Sequence, residues 1–276
     1  MKPTNKQKTV KMPAGSVAAR ADIHKLYEDA VQCVEAEIDF ADETFKKIRG
    51  RAAKTLREDF CGTMNSSCEW LRRRKTNLAY SVDLDRKVLE WGKANNLAKL
   101  NRQQQDRITI YKSDVKTVKT LPADIVLAMN FSYWIFKTRK TMTDYFRHVY
   151  SCLNDEGVFF LDSFGGYEGC KEMQETTRYK GFTYVWDQNK FNPITNDGLF
   201  HIHFRFMDGS AIEKAFTYDW RIWSLPEIKE MLTDAGFRPS IYWEGTGKDG
   251  LGNGIFSRST KGDADPSWIA YIVAEK

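Results

Sequence analysis

Glu58 or Asp59, Gly62, Asp83 and Asp114 are of a type and spacing that could hold a nucleoside-like ligand. The acids close three successive apolar runs, 54-KTLRED-59, 78-LAYSVD-83 and 107-RITIYKSD-114. Asp83 follows Gly62 by about twenty residues, where a carboxylate can accept hydrogen bonds from both hydroxyls of a ribose. Asp114 ends the next run, where an adenine edge would lie. Positions 60, 62 and 64 are Phe, Gly and Met. Neither the phosphate-cradling glycine loop nor the dinucleotide fingerprint is therefore present. Acids beside such a loop suit a cationic ligand better than a pyrophosphate.

Each residue also has a plainer reading. Asp83 is a candidate helix cap, Asp114 a turn residue and Gly62 a turn glycine. Glu58 and Asp59 are adjacent and point to opposite sides, so one can serve a ligand while the other faces solvent. His201 and His203 stand two apart, on one face of a strand. The chain has only 4 His, and no third ligand has diagnostic spacing, so no metal is expected. A solvent-facing or pocket-lining pair is the favoured reading, and with Tyr133 they are the candidate general bases. The 5 cysteines are odd in number and form no CxxC, which predicts reduced thiols and a cytoplasmic protein. Cys61 stands out only by its loop.

These residues must be positioned by a chain of 276 residues, 42% hydrophobic and with 8 Trp. That suffices for one large domain, or one with an insertion. The 42 bases and 37 acids are interspersed, which is not a nucleic-acid-binding composition. No segment reaches the ~18 apolar residues needed to span a membrane. Residues 1–20 carry Lys2, Lys6, Lys8, Lys11 and Arg20 against no acid. They are expected to be a disordered basic tail without the apolar core of a secretory signal.

The stretch 22-DIHKLYEDAVQCVEAEIDFADETFKKIR-49 reads as one helical cap, spanning 21–50. Strands and helices then alternate. Helices are predicted over 64–75, 85–100 and 140–153, and further strands over 123–131 and 157–164. Between 182 and 223 the period becomes two: 182-FTYVW-186, 200-FHIHFRF-206 and 216-FTYDWRI-222. A helix at 224–237 follows, with Ser224 and Glu227 in capping-box spacing, and strands at 239–244 and 268–275 finish the chain. The prediction is an α/β fold with a Rossmann-like doubly wound sheet, mostly parallel, and the closing pair 239–244 and 268–275 resembles the C-terminal antiparallel hairpin of a known enzyme family. Residues 51–165 and 224–276 form this fold, and 166–223 are a small antiparallel β insertion, read as a substrate or lid region.

In this order the motifs resemble those of class I S-adenosylmethionine-dependent methyltransferases. The stretch 56-LREDFCGTM-64 resembles the first motif, an acid followed by G-x-G-x-G, and the phrase LREDFCGT resembles more narrowly a bacterial group of such enzymes. Residues 80-YSVDLD-85, 112-KSDV-115 and 124-DIVLAMNFSYWIF-136 resemble the second, third and fourth. The resemblance implies S-adenosyl-L-methionine as cofactor and S-adenosyl-L-homocysteine as product. It places Glu58, Phe60, Cys61 and Gly62 in the cofactor loop, Asp83 at the ribose, and Leu84, Asp114 and Val115 around the adenine. It adds Asn130 at the fourth strand end, and Tyr27 on an N-terminal segment that closes over the cofactor. Phe60 and Met64 depart from the motif's first and third glycines. The fourth strand ends in 129-MNFS-132, not the N-P-P-[YF] of nucleic-acid amino-methylating enzymes. A small-molecule acceptor methylated at N or O is the expectation, and the reading allows a homodimer. The rivals are an NAD(P)-dependent oxidoreductase and a non-catalytic binding or scaffold protein.

Overall fold

The strand Ala123–Ala128 is buried at every position, as a strand covered on both faces must be. It sits in the middle of an eight-stranded sheet. In this computed structural model, residues 15–247 and 250–276 are described. The first strands are β1 (Thr55–Asp59), β2 (Leu78–Asp83), β3 (Ile108–Lys112), β4 (Ala123–Ala128) and β5 (Leu153–Gly165). The later ones are β6 (Met173–Tyr179), β7 (Phe182–Asn192), β8 (Asp197–Phe206), β9 (Ala211–Arg221), β10 (Arg238–Thr246), β11 (Gly252–Ser259) and β12 (Trp268–Glu275). The helices are α1 (Val17–Arg20), α2 (Ile23–Val31), α3 (Val34–Arg49), α4 (Asn65–Arg73), α5 (Arg86–Asn95), α6 (Arg102–Gln105), α7 (Arg139–Cys152) and α8 (Leu225–Asp234).

Among the described residues two compact units result, one within Cys33–Cys170 and Arg221–Lys276, the other formed by residues 15–32 with Lys171–Trp220. The larger unit holds the sheet in the order β11-β10-β12-β5-β4-β1-β2-β3. β1 pairs in parallel with both β2 and β4, so the winding reverses there. Ligands in such sheets bind beyond the carboxyl ends of the strands at that point. β12 lies antiparallel between β5 and β10. Ile38, Ala41 and Phe45 of α3 bury one helix stripe with Trp70 and Leu71 of α4, Leu56, Leu127 and Phe160. Asp85 caps α5 through the Lys87 N–H, and Ser224 with Glu227 forms a capping box on α8.

The smaller unit is a four-stranded antiparallel sheet in the order β6-β7-β8-β9. Phe182, Ile202, Phe204 and Ile212 make its core, against which Leu26, Tyr27, Ala30 and Val31 of α2 pack.

Several expectations are corrected. The helix expected over 22–49 is two helices, because their apolar stripes serve different cores. The tail expected to be disordered to residue 20 folds from Ser16 onward. Ser16 caps α1, and the Val17 N–H donates to Asp208 Oδ2 at 2.9 Å. The rest of that expectation, residues 1–14, lies outside the described residues. The insertion has a further strand, β6, whose exposed polar residues give no period-two signal. The closing pair is likewise joined by β11, an exposed edge strand rich in glycine. Among the described residues, no helix is long and apolar enough to cross a membrane.

Candidate functional site

The loop after β1 holds Phe60, Gly62 and Met64 in the left-handed region, at φ 57°, 50° and 61°. For a residue with a Cβ that conformation costs roughly 1–2 kcal/mol, so its surroundings must impose it. The Cys61 N–H donates to Val82 O at 3.0 Å and the Met64 N–H to Cys61 O at 2.7 Å. Asn96 Nδ2 donates to Thr63 O at 3.1 Å. Gly92 lets α5 press on the same backbone, since a Cβ there would meet Thr63 O at 2.4 Å. The two residues that replace motif glycines send their side chains away from the loop surface. Met64 is wholly buried in the core. The Phe60 ring packs against Phe136 at 5.9 Å and Tyr145 at 6.0 Å. Over Gly62 the space is open, and a Cβ would meet nothing within 4 Å.

The Gly62 N–H donates to Asp83 Oδ2 at 2.9 Å, and Asp83 Oδ1 accepts from the Asp85 N–H at 2.8 Å. Asp83 thus joins the loops after β1 and β2 while staying half-buried. Burial raises its pKa, and the backbone donors oppose that. Each oxygen still has a lone pair to offer. Leu84 beside it is 63% exposed, an apolar lip at the carboxyl end of β2. Asp114 is half-buried, accepts from the Lys116 N–H at 2.9 Å and lies 3.5 Å from Lys116 Nζ. Val115 is buried, and its carbonyl accepts from Arg57 Nη2 at 3.0 Å.

Neither of the paired acids faces solvent, contrary to expectation. Glu58 is buried and accepts from the Ser67 N–H at 2.9 Å and from the Ser67 hydroxyl. Burial pushes its pKa up to about 7. It ties β1 to the first turn of α4. Asp59 points the other way into a fully buried pair with Arg57 (2.7 Å) and accepts from the Tyr145 hydroxyl at 2.8 Å.

The loop after β4 repeats the strained conformation. Asn130 and Phe131 have φ 57° and 56°. Their N–H groups donate to Asp162 Oδ2 and Oδ1 at 2.7 and 2.9 Å. Asp162, which sequence reasoning missed, is buried and pushed up to about 7 by that burial. An acid interrupting the apolar run 157-GVFFLDSF-164 was its visible signal.

Of the candidate bases, Tyr133 belongs to the larger unit and His201 and His203 to the smaller. Tyr133 is fully buried, donates its hydroxyl to Asp162 O at 2.6 Å, and has its pKa driven well above the usual range by burial. It braces the β4 loop and is not placed as a base. His201 and His203 stand on β8 in the smaller unit and are buried, not solvent-facing. His203 Nε2 lies 3.2 Å from Asp187 Oδ2, and its Nδ1 accepts from the Lys214 N–H at 3.1 Å. His201 Nδ1 lies 2.9 Å from Thr217 Oγ1, and burial lowers its pKa. Tyr27 also belongs to that unit, with its ring 4.9 Å from Phe216. The Cys61 thiol is buried and its pKa raised well above normal by that burial, so it is no thiolate. Among the described residues, no group of three His, Cys, Asp or Glu is arranged to hold a metal.

The carboxyl ends of β1 and β2 therefore present an open glycine, a half-buried carboxylate and an apolar lip. This set fits an adenosyl ligand: the clear space over Gly62 admits a group onto the backbone, and Asp83 keeps acceptor capacity. No protein-family description matches the chain, and no curated protein does either. Solved structures do match. An S-adenosylmethionine-dependent methyltransferase from Clostridium acetobutylicum ATCC 824 superposes with a TM-score of 0.69 at 15% identity, over 91% of this chain and 96% of its own. CalS10, an amino pentose methyltransferase from Micromonospora echinaspora solved with S-adenosylmethionine bound, gives 0.63 at 14%, over 92% and 97%. The sugar N-methyltransferase KedS8 from Streptoalloteichus sp ATCC 53650 gives 0.61 at 16%, over 96% and 99%. The chain thus has the Rossmann-like fold of S-adenosylmethionine-dependent methyltransferases.

Proposed function

We propose that this protein is a cytoplasmic S-adenosylmethionine-dependent methyltransferase acting on a small molecule at nitrogen or oxygen. The observation that carries the reading is the loop at 60–64. It keeps the left-handed backbone at all three motif glycine positions although two are not glycine, and it docks the remaining glycine, Gly62, on Asp83. A fold that holds this conformation against side-chain strain is retaining a surface, not a sequence habit. The small-molecule acceptor is supported by the structural neighbours described as amino pentose and sugar N-methyltransferases.

The cofactor would supply a methyl group on a sulfonium, open to in-line displacement. In this reading Asp83 accepts from the ribose hydroxyls, Leu84, Asp114 and Val115 border the adenine, and the open face of Gly62 admits the amino-acid arm. Phe60 and Cys61 contribute through their backbone. Glu58 acts indirectly, by fixing the loop to α4, and Asn130 is positioned by Asp162. The chain's contribution is to orient the reactants and exclude water. A neutral amine acceptor needs no base, and neither Tyr133 nor Cys61 is available as one.

Calorimetric titration with S-adenosylmethionine, S-adenosylhomocysteine and NADH tests the reading. About micromolar binding of the two adenosyl ligands, with none of NADH, is expected. Binding of NADH alone would establish an oxidoreductase. Absence of all three would leave a binding or scaffold protein.

A further inference from the structure

The first turn of α3 carries an acid that the site described above does not use. Phe40 of α3 packs its ring 4.5 Å from Tyr271 of β12 and 6.0 Å from Phe160 of β5. Glu37 lies three residues earlier and so shares that helix face. Asp162 lies two residues beyond Phe160 on the same face of the sheet and is paired across the ladder with Tyr271. Glu37, Asp162 and Tyr271 therefore gather at the carboxyl end of β5, two strands from Glu58 on β1. The negative charge of Glu37 is felt at all three.

Their hydrogen bonding is unequal. Glu58 is occupied by Ser67, and Asp162 by Asn130 and Phe131. Glu37 is only 8% exposed, yet among the described residues its Oε2 has no hydrogen-bond partner. Burial pushes Glu37 up to about 7, opposed only by the Cys33 backbone. A buried carboxylate oxygen without a donor is costly, and a native fold that keeps one calls for a missing partner. Two further acids around it select the sign of that partner.

We infer that Glu37 binds an alkylammonium group of a small-molecule ligand, with Asp162 and Glu58 as its negative surround. The inference rests on the methyltransferase reading for the identity of the ligand. The ammonium belongs either to the amino-acid arm of the adenosyl cofactor or to an acceptor amine, which is bound protonated and must lose that proton before it can take a methyl group. The chemistry is the same, and binding measurements separate the two sources.

Wild type and Glu37→Gln are titrated calorimetrically with S-adenosylhomocysteine and with methylthioadenosine, which lacks the amino-acid arm. Both proteins, saturated with methylthioadenosine, are then titrated with cyclohexylamine and, as a neutral control, cyclohexanol. Loss of at least about tenfold in S-adenosylhomocysteine affinity, with methylthioadenosine unchanged, places the cofactor's ammonium at Glu37. Cyclohexylamine binding that wild type shows and Glu37→Gln lacks, with cyclohexanol inert, places the acceptor's amine there. Unchanged binding in both arms, or no amine binding together with unchanged S-adenosylhomocysteine affinity, overturns the inference. If wild type binds neither adenosyl ligand, the cofactor reading has failed on its own, and cyclohexylamine added to the unliganded protein decides Glu37. Should Glu37→Gln fold poorly, Glu37→Met repeats the measurements without a charge or a carboxylate oxygen.

Discussion

The loops after β1 and β4 solve the same backbone problem in different ways. Both hold residues other than glycine at positive φ, and both are fastened by an aspartate from a neighbouring strand. Asp83 takes one N–H from its own following turn and one from the β1 loop, stays half-buried and keeps lone pairs free. Asp162 takes two successive N–H groups from the β4 loop and is sealed from solvent. The first arrangement leaves room for a ligand, whereas the second is a clamp. The same pairing of carboxylate and strained loop thus keeps lone pairs free for a ligand in one place and gives them to its own backbone in the other, and burial decides which.

The largest expected effect is that of Asp162→Ala on folding. It leaves two backbone donors without their acceptor and should cost about 2–5 kcal/mol, read as a lower urea midpoint. Asp83→Ala should show the reverse balance. Its stability should change by only about 1 kcal/mol, while S-adenosylhomocysteine affinity should fall by roughly 2–4 kcal/mol for two lost charge-assisted hydrogen bonds. If calorimetry found that affinity intact and urea titration found a large loss of stability, both loops would be braces and the contrast would collapse.

Gly62→Ala sharpens the comparison from the ligand side. Its methyl group meets no protein atom, so only the φ of 50° opposes it, at about 1 kcal/mol of stability. It should nevertheless weaken S-adenosylhomocysteine by at least about tenfold, because it fills the space where the ligand approaches.

A further effect is one of pH. Glu37, Glu58 and Asp162 are all raised to about 7 from ordinary carboxylate values. Groups raised in the folded state contribute stability in full below their unfolded pKa. That contribution is lost as pH rises through the folded value. Urea midpoints should therefore fall as the pH goes from about 5 to about 8. Glu37→Gln should flatten part of that fall, matching wild type at the acidic end and exceeding it at the alkaline end. A midpoint that rises across this range would contradict the burial of these acids.

The alternation of apolar runs and helices was legible because burial on two faces of a parallel sheet leaves a continuous apolar run such as 123–128. Asp85 and the Ser224–Glu227 box were legible because caps act within three residues of their partners. Edge strands β6 and β11 were not, since most of their side chains are exposed and leave no buried face to read. The break between α2 and α3 was hidden for another reason. Each half is amphipathic by itself, and only the existence of two cores separates them.

By itself, the sequence determined the alternation of strands and helices in the larger sheet and that acids stand at the carboxyl ends of β1, β2 and β3. It also set the position of one glycine among them. Those follow from local preference and periodicity, which act over a few residues. Only the tertiary structure decided that Phe60 and Met64 adopt the backbone of glycine. It alone decided that Asp162 clamps a loop more than thirty positions away, and that Glu37 Oε2 is left without a hydrogen-bond partner among the described residues. These outcomes depend on which distant N–H reaches each carboxylate, and on how far water is excluded there. Neither quantity is written in residue type or spacing.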